Sequence, residues 1–112
     1  MLYRIDSSKN IVVFRPSGKL DIGNAKELED MLDKLRELNP QCNFIIDLST
    51  VEYCSSSALR VIVTTYRKLT EVQQCLVLLN PSSICAKILE VTKLGDVIDI
   101  YDNELDAINS LY

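Results

Sequence analysis

The 112-residue chain contains no histidine and no tryptophan, and only three glycines and three prolines. Without histidine, the usual general base for a serine or cysteine nucleophile is missing, and so is a common zinc ligand. Cys42, Cys54, Cys75 and Cys85 lie 12, 21 and 10 residues apart and form no Cys-x-x-Cys pair. That spacing fits no metal framework, so the expectation is no metal and no cofactor, with reduced thiols acting as small apolar filler. Long hydrophobic runs are absent too. The longest aliphatic run is Leu76–Leu79, far short of the roughly 18 residues that span a bilayer. The opening Met1–Asp6 has no signal-peptide pattern, which points to a cytoplasmic chain away from membranes. Nor is there a basic surplus: 12 Lys and Arg against 16 Asp and Glu leave a formal charge of -4, which argues against nucleic acid as a partner.

What is present is ordinary globular material, 47% hydrophobic and 25% charged, without repeats, linkers or low-complexity segments. Residues 1–112 read as a single domain with one core.

The stretch Phe44 to Leu69 organises the rest. Phe44-Ile45-Ile46, closed by Asp47 and Leu48, reads as a strand buried on both faces. A six-residue turn, Ser49 to Cys54, is expected next. Ser55, Ser56 and Ser57 then lead into Leu59, Ile62, Val63, Tyr66 and Leu69, whose spacing places them on one helical face. The first turn of that helix is nearly all hydroxyl. Helix N-termini expose unpaired amides and roughly half a positive charge. A serine there can cap the helix, help bind an anion or carry a phosphate. Ser55 or Ser56 is the expected cap, which leaves Ser57 inside the first turn. Arg60 lies one turn along. With Thr64, Arg67 and Lys68 it reads either as a solvated face or as a modestly basic docking patch.

Upstream, Leu2–Ile5 and Ile11–Arg15 flank the polar Asp6–Asn10 and predict an antiparallel hairpin. Ile11–Phe14 is apolar throughout, so both faces should be covered. Pro16-Ser17-Gly18 breaks or bends that strand. Asp21 follows in Gly18-Lys19-Leu20-Asp21 and reads as a turn or cap residue. Ala25–Leu38 is an amphipathic helix with Leu28, Met31, Leu32, Leu35 and Leu38 on its apolar face and an Asp30–Lys34 pair outside. Downstream, Cys75–Leu79 reads as a buried strand. A serine-capped helix then runs to about Thr92, with Ile84, Ile88, Leu89 and Val91 as core candidates. Gly95 with Leu94 is the expected stop. Val97–Tyr101 reads as a last strand, and Asn103 caps a terminal helix carrying Leu105, Ile108 and Leu111. The order β-β-α-β-α-β-α-β-α predicts an α/β fold: a mixed, mostly parallel sheet with an antiparallel N-terminal hairpin and helices packed on the sheet.

The apolar strand, Asp47-Leu48-Ser49, the short turn, the aromatic Tyr53, the serines and the amphipathic helix together resemble the STAS domain of anti-sigma factor antagonists. The resemblance runs from about Ile11 to the end of the chain. The family's usual turn, Asp-Ser-Ser-Gly-Leu, falls on Ser55-Ser56-Ser57-Ala58-Leu59, and Gly18–Asp21 resembles its Gly-x-Leu-Asp element. The resemblance implies that Ser57 is the phosphorylated serine and that Asp21, Ser55, Ser56 and Arg60 lie at or near the phosphosite or partner surface. It implies a partner that is an anti-sigma factor or serine protein kinase, with the domain acting as a monomer or weak dimer. Two functions remain open. One is a binding module switched off by phosphate on Ser57; the other is a STAS-like protein- or anion-binding domain without phosphorylation. An enzyme is not expected: a Ser57 hydrolase lacks histidine, a Gly-x-Ser-x-Gly elbow and any nearby lysine.

Overall fold

A computed structural model describes all residues, Met1–Tyr112. The hairpin forms as expected from β1 (Leu2–Asp6) and β2 (Ile11–Arg15), in unbroken antiparallel register. β2 then pairs in parallel with β4 (Asn43–Asp47), β4 with β6 (Leu76–Leu79), and β6 with the short β7 (Ile100–Tyr101). The sheet order β1-β2-β4-β6-β7 puts β4 at the centre.

Both faces of that centre are covered. Val12, Phe14, Phe44, Ile46, Leu76 and Leu78 belong to the large core under α1 (Ala25–Leu38), α2 (Ser56–Glu71) and α3 (Ser83–Thr92). Ile11, Val13, Ile45, Val77 and Leu79 form a second cluster around Ala107 of α4 (Glu104–Ser110). Strands buried on both sides read as continuous apolar runs, which is why these three were legible. No helix is long and apolar enough to cross a membrane.

Several expectations need correction. Two short strands stand where the sequence predicts turns: β3 (Gly18–Leu20) and β5 (Val51–Cys54) pair in parallel as a separate two-stranded sheet. The expected six-residue turn therefore shrinks to a bend followed by β5. Neither strand is long enough to show a period, and each exists through pairing with the other. Leu38 is 67% exposed at the end of α1, beyond the reach of the core. Asp30 pairs with Lys26 at 2.9 Å in place of Lys34. In α3, Cys85 and Leu89 are buried, while Ile84 and Val91 are 57% and 77% exposed. That helix ends on Lys93 in the left-handed conformation at φ 57°, ahead of Gly95. The last strand is only Ile100–Tyr101, because Leu94–Asp96 forms a 3-10 turn that Val97 closes. In α4 the buried residue is Ala107, and Leu105 is 67% exposed.

Candidate functional site

Ser55 sits just ahead of α2 with an extended backbone, and its Oγ accepts from the Ala58 amide at 3.2 Å. Of the two cap candidates, Ser55 is therefore the cap. Ser56 is exposed and Ser57 half-buried in the first turn, each with a hydroxyl free of intrachain hydrogen bonds. Ala58 points inward and is fully buried in the main core. The helix thus begins with one hydroxyl committed to structure and two without an intrachain hydrogen bond, next to a helix start whose first amides lack helical partners.

Asp21 arrives through backbone pairing. The register of β3 with β5 sets Leu20 beside Cys54, and the Ser55 amide donates to the Leu20 carbonyl at 2.7 Å. Asp21 is the next residue, so the loop leading to α1 is tied to the start of α2. Asp21 is exposed, and its Oδ1 accepts from the amides of Gly23 at 2.9 Å and Asn24 at 3.3 Å. In return the Asp21 amide donates to Asn24 Oδ1 at 2.9 Å. One carboxylate oxygen holds the loop and the other remains open.

Arg60 is exposed one turn along α2. The basic patch around it is smaller than the sequence implies: Lys68 turns toward α1 and pairs with Asp33 at 3.1 Å. Two apolar side chains near this turn are exposed, one of them, Ile22, unmarked by the apolar pattern of the sequence. Ile22 is 81% exposed directly after Asp21, and Tyr53 is 47% exposed two residues before Ser55. An isoleucine in a turn otherwise built of Asp, Gly and Asn was the available signal.

A second capped helix start is tied to the first residue of β5. Ser82 caps α3 by accepting from the Cys85 amide at 3.3 Å, while its hydroxyl donates to the Val51 carbonyl of β5 at 2.6 Å. Between β5 and α3 lies a shallow cleft of about 320 Å³ lined by Thr50, Glu52, Ser83 and Ile84 among others. All four cysteines are free; Cys42, Cys54 and Cys85 are buried and Cys75 is exposed. Burial, reinforced by nearby Cys85, pushes the Cys54 thiol up to about 12, and burial raises Cys85 and Cys42 as well. No cluster of three or more His, Cys, Asp or Glu side chains could hold a metal ion.

The family model described as STAS domain matches residues 3–107. The chain belongs to the STAS domain family. The match extends the resemblance back across β1. Among proteins similar to this STAS domain, an anti-sigma F factor antagonist of Paenibacillus polymyxa is 21% identical over 107 residues, covering 96% of this chain and 92% of that protein. A candidate anti-sigma factor antagonist of Thermotoga maritima superposes with a TM-score of 0.87 at 24% identity, over 98% of this chain and 92% of that one. SpoIIAA in its unphosphorylated form gives 0.78 at 21% identity, covering 97% and 95% of the two chains. The phosphorylated form of the Bacillus cell fate determinant SpoIIAA gives 0.70 at 20%, covering 99% and 100%. The mixed sheet, its antiparallel β1–β2 pair and its four helices match the STAS architecture of these structures. Two of these, the Paenibacillus protein and SpoIIAA, are described as anti-sigma factor antagonists.

Proposed function

We propose that this STAS domain is a phosphorylation-switched antagonist. Unmodified, it docks on an anti-sigma factor that is also a serine kinase; phosphate on Ser57 ends the interaction. The observation that carries this reading is the half-buried Ser57 hydroxyl, free of intrachain hydrogen bonds in the first turn of α2, with Asp21 tied alongside. A similar fold, SpoIIAA, is known in a phosphorylated form.

The helix N-terminus tolerates a dianion. A partner packed around Ser55, Ser56, Ser57 and the exposed Ile22 and Tyr53 does not. It would have to desolvate about two negative charges beside Asp21, and the like-charge repulsion and lost hydration oppose docking. Arg60, exposed one turn along, is the cation that would meet an acidic group of that partner.

The departures from the family's turn are accommodated locally. Ser55 stands where the family has aspartate and fills the cap by its own Oγ, and the methyl of Ala58 packs into the core. The phosphate-free reading, a domain that only binds a protein or small anion, draws its support from those same two substitutions.

A phosphorylation assay with ATP and the cognate kinase, read by mass spectrometry, separates the two readings. Wild type is expected to take up one phosphate, and Ser57→Ala none while still binding. Stoichiometric uptake by Ser57→Ala would move the site to a neighbour such as the more exposed Ser56. No uptake by any variant, with normal binding, would favour the phosphate-free domain.

A further inference from the structure

The five-stranded sheet has one long free edge. β1 pairs only with β2, and the opposite edge, β7, is two residues long. Natural edge strands are usually kept short, bulged, interrupted by proline or covered. Of the devices that guard edges, β1 has only the charges of Arg4 and Asp6: its five residues, LYRID, run in unbroken register with β2, without bulge or proline. Leu2, Tyr3 and Ile5 are 65%, 53% and 44% exposed. An edge of this kind carries outward N–H and C=O groups that can accept another strand.

The residues of β1 specify which strand fits. Side chains keep to their own faces when strands pair, so only slips of two residues are permitted. Tyr3 and Ile5 stand opposite Phe14 and Val12, on the face of the main core; Arg4 and Asp6 stand opposite Val13 and Ile11, on the α4 face. Suppose β1 lies antiparallel to β1 of a second copy with Ile5 opposite Ile5. Arg4 of each copy then faces Asp6 of the other, twice over. Slipping by two residues in one direction puts Arg4 opposite Arg4, and in the other Asp6 opposite Asp6. Opposite charges facing each other across strands stabilise, and like charges oppose pairing. Arg4 already meets Glu104 and Asp6 accepts from Ser8 Oγ at 2.7 Å. Those contacts leave further guanidinium donors and the second carboxylate oxygen available.

We propose that the chain self-associates weakly and reversibly by antiparallel pairing of β1 with β1 of a second copy, joining two sheets into one continuous sheet with Ile5 on the twofold axis. The surface lies on the outer edge of β2's hairpin partner, whereas the serine turn is placed by β5 and α2. The proposal is therefore independent of the phosphorylation reading.

The test uses the full chain. Sedimentation velocity should show the average mass rising from one chain toward two between about 10 μM and about 1 mM, a range suited to small interfaces. Asp6→Arg alone and Arg4→Asp alone should each weaken association at least tenfold, since each sets like charges opposite one another. An equimolar mixture of the two variants should regain it, because every facing pair becomes opposite in sign. Register is read separately in a Cys75→Ser background, which removes the exposed thiol. Mild oxidation should cross-link Ile5→Cys into a covalent dimer faster than Arg4→Cys or Tyr3→Cys. All three positions are exposed, and circular dichroism checks that each variant folds. Mass that stays at one chain up to 1 mM, a mixture that associates no better than its components, or preferential cross-linking of Arg4→Cys would each overturn the proposal. So would a wild-type edge that pairs only with a foreign peptide strand.

Discussion

The amide of Ser55 donates to the carbonyl of Leu20 across a distance of 2.7 Å. This bond joins the cap of α2 to the residue preceding Asp21, although the two lie 35 positions apart in sequence (55 less 20). Asp21 is in turn held in its loop by the Gly23 and Asn24 amides, so the start of α2 and the Asp21 turn are fixed to one another through Leu20.

Substituting Ser57→Glu should leave the fold almost untouched, within about 1 kcal/mol of wild type in urea titration, as for ordinary surface changes. Binding to an anti-sigma partner should weaken at least about tenfold, or about 1.4 kcal/mol. Asp21→Asn preserves an acceptor for the same loop amides while removing the charge. Combined with Ser57→Glu, it should recover part of the lost binding in a calorimetric titration. Unchanged binding by Ser57→Glu would remove charge at this position as the switch.

Ser55→Ala should destabilise the domain by about 1 kcal/mol, the usual loss for a serine cap. Ser56→Ala should cost less than about 0.5 kcal/mol, as at an uncommitted surface position. Equilibrium denaturation of the two variants side by side checks the order. An equal effect from both would mean that the cap is shared.

Ser82 is a joint between elements, capping α3 while donating to the Val51 carbonyl of β5. Its replacement by alanine removes the cap acceptor and a hydroxyl donor together, so the expected loss is about 1–3 kcal/mol. The urea midpoint should fall with no change in slope, since the exposed surface is the same. Ser83→Ala, one residue along and exposed, should be close to neutral.

The thiols make stability depend on alkaline pH. Cys54 has an ordinary value of 9.0 and is pushed up to about 12 in the fold, first by burial and then by Cys85. The folded state thus holds its proton where the unfolded chain has lost it. This contribution is fully present below about pH 9 and is lost as pH rises through about 12, with a slope of up to about 1.4 kcal/mol per pH unit for one thiol. Cys54→Ala should flatten the decline measured by denaturation between those pH values. At pH 8, a thiol reagent should label exposed Cys75 rapidly in the native protein and all four cysteines only after unfolding.

Much of this protein was legible because its decisive patterns are local. The apolar runs in β2, β4 and β6 announce strands covered on both faces, and the buried stripes of Leu28, Leu32 and Leu35 in α1 and Leu59, Ile62 and Leu69 in α2 follow the helical repeat. Asn103 could be read as the cap of α4 because it precedes that helix directly, and its Oδ1 does accept from the Asp106 amide at 2.9 Å. Tertiary structure alone decided what depends on residues far apart in the chain. β3 and β5 are too short to carry a period and form only because Gly18 meets Val51 and Leu20 meets Cys54. Whether Ile84, Val91, Leu38 or Leu105 is covered depends on how far the neighbouring elements extend, which their own spacing does not record. The same holds at the serine turn: Ser55 and Ser56 were equally good caps by sequence, and the choice fell to Ser55 because its amide is anchored to Leu20 as its hydroxyl turns back to Ala58.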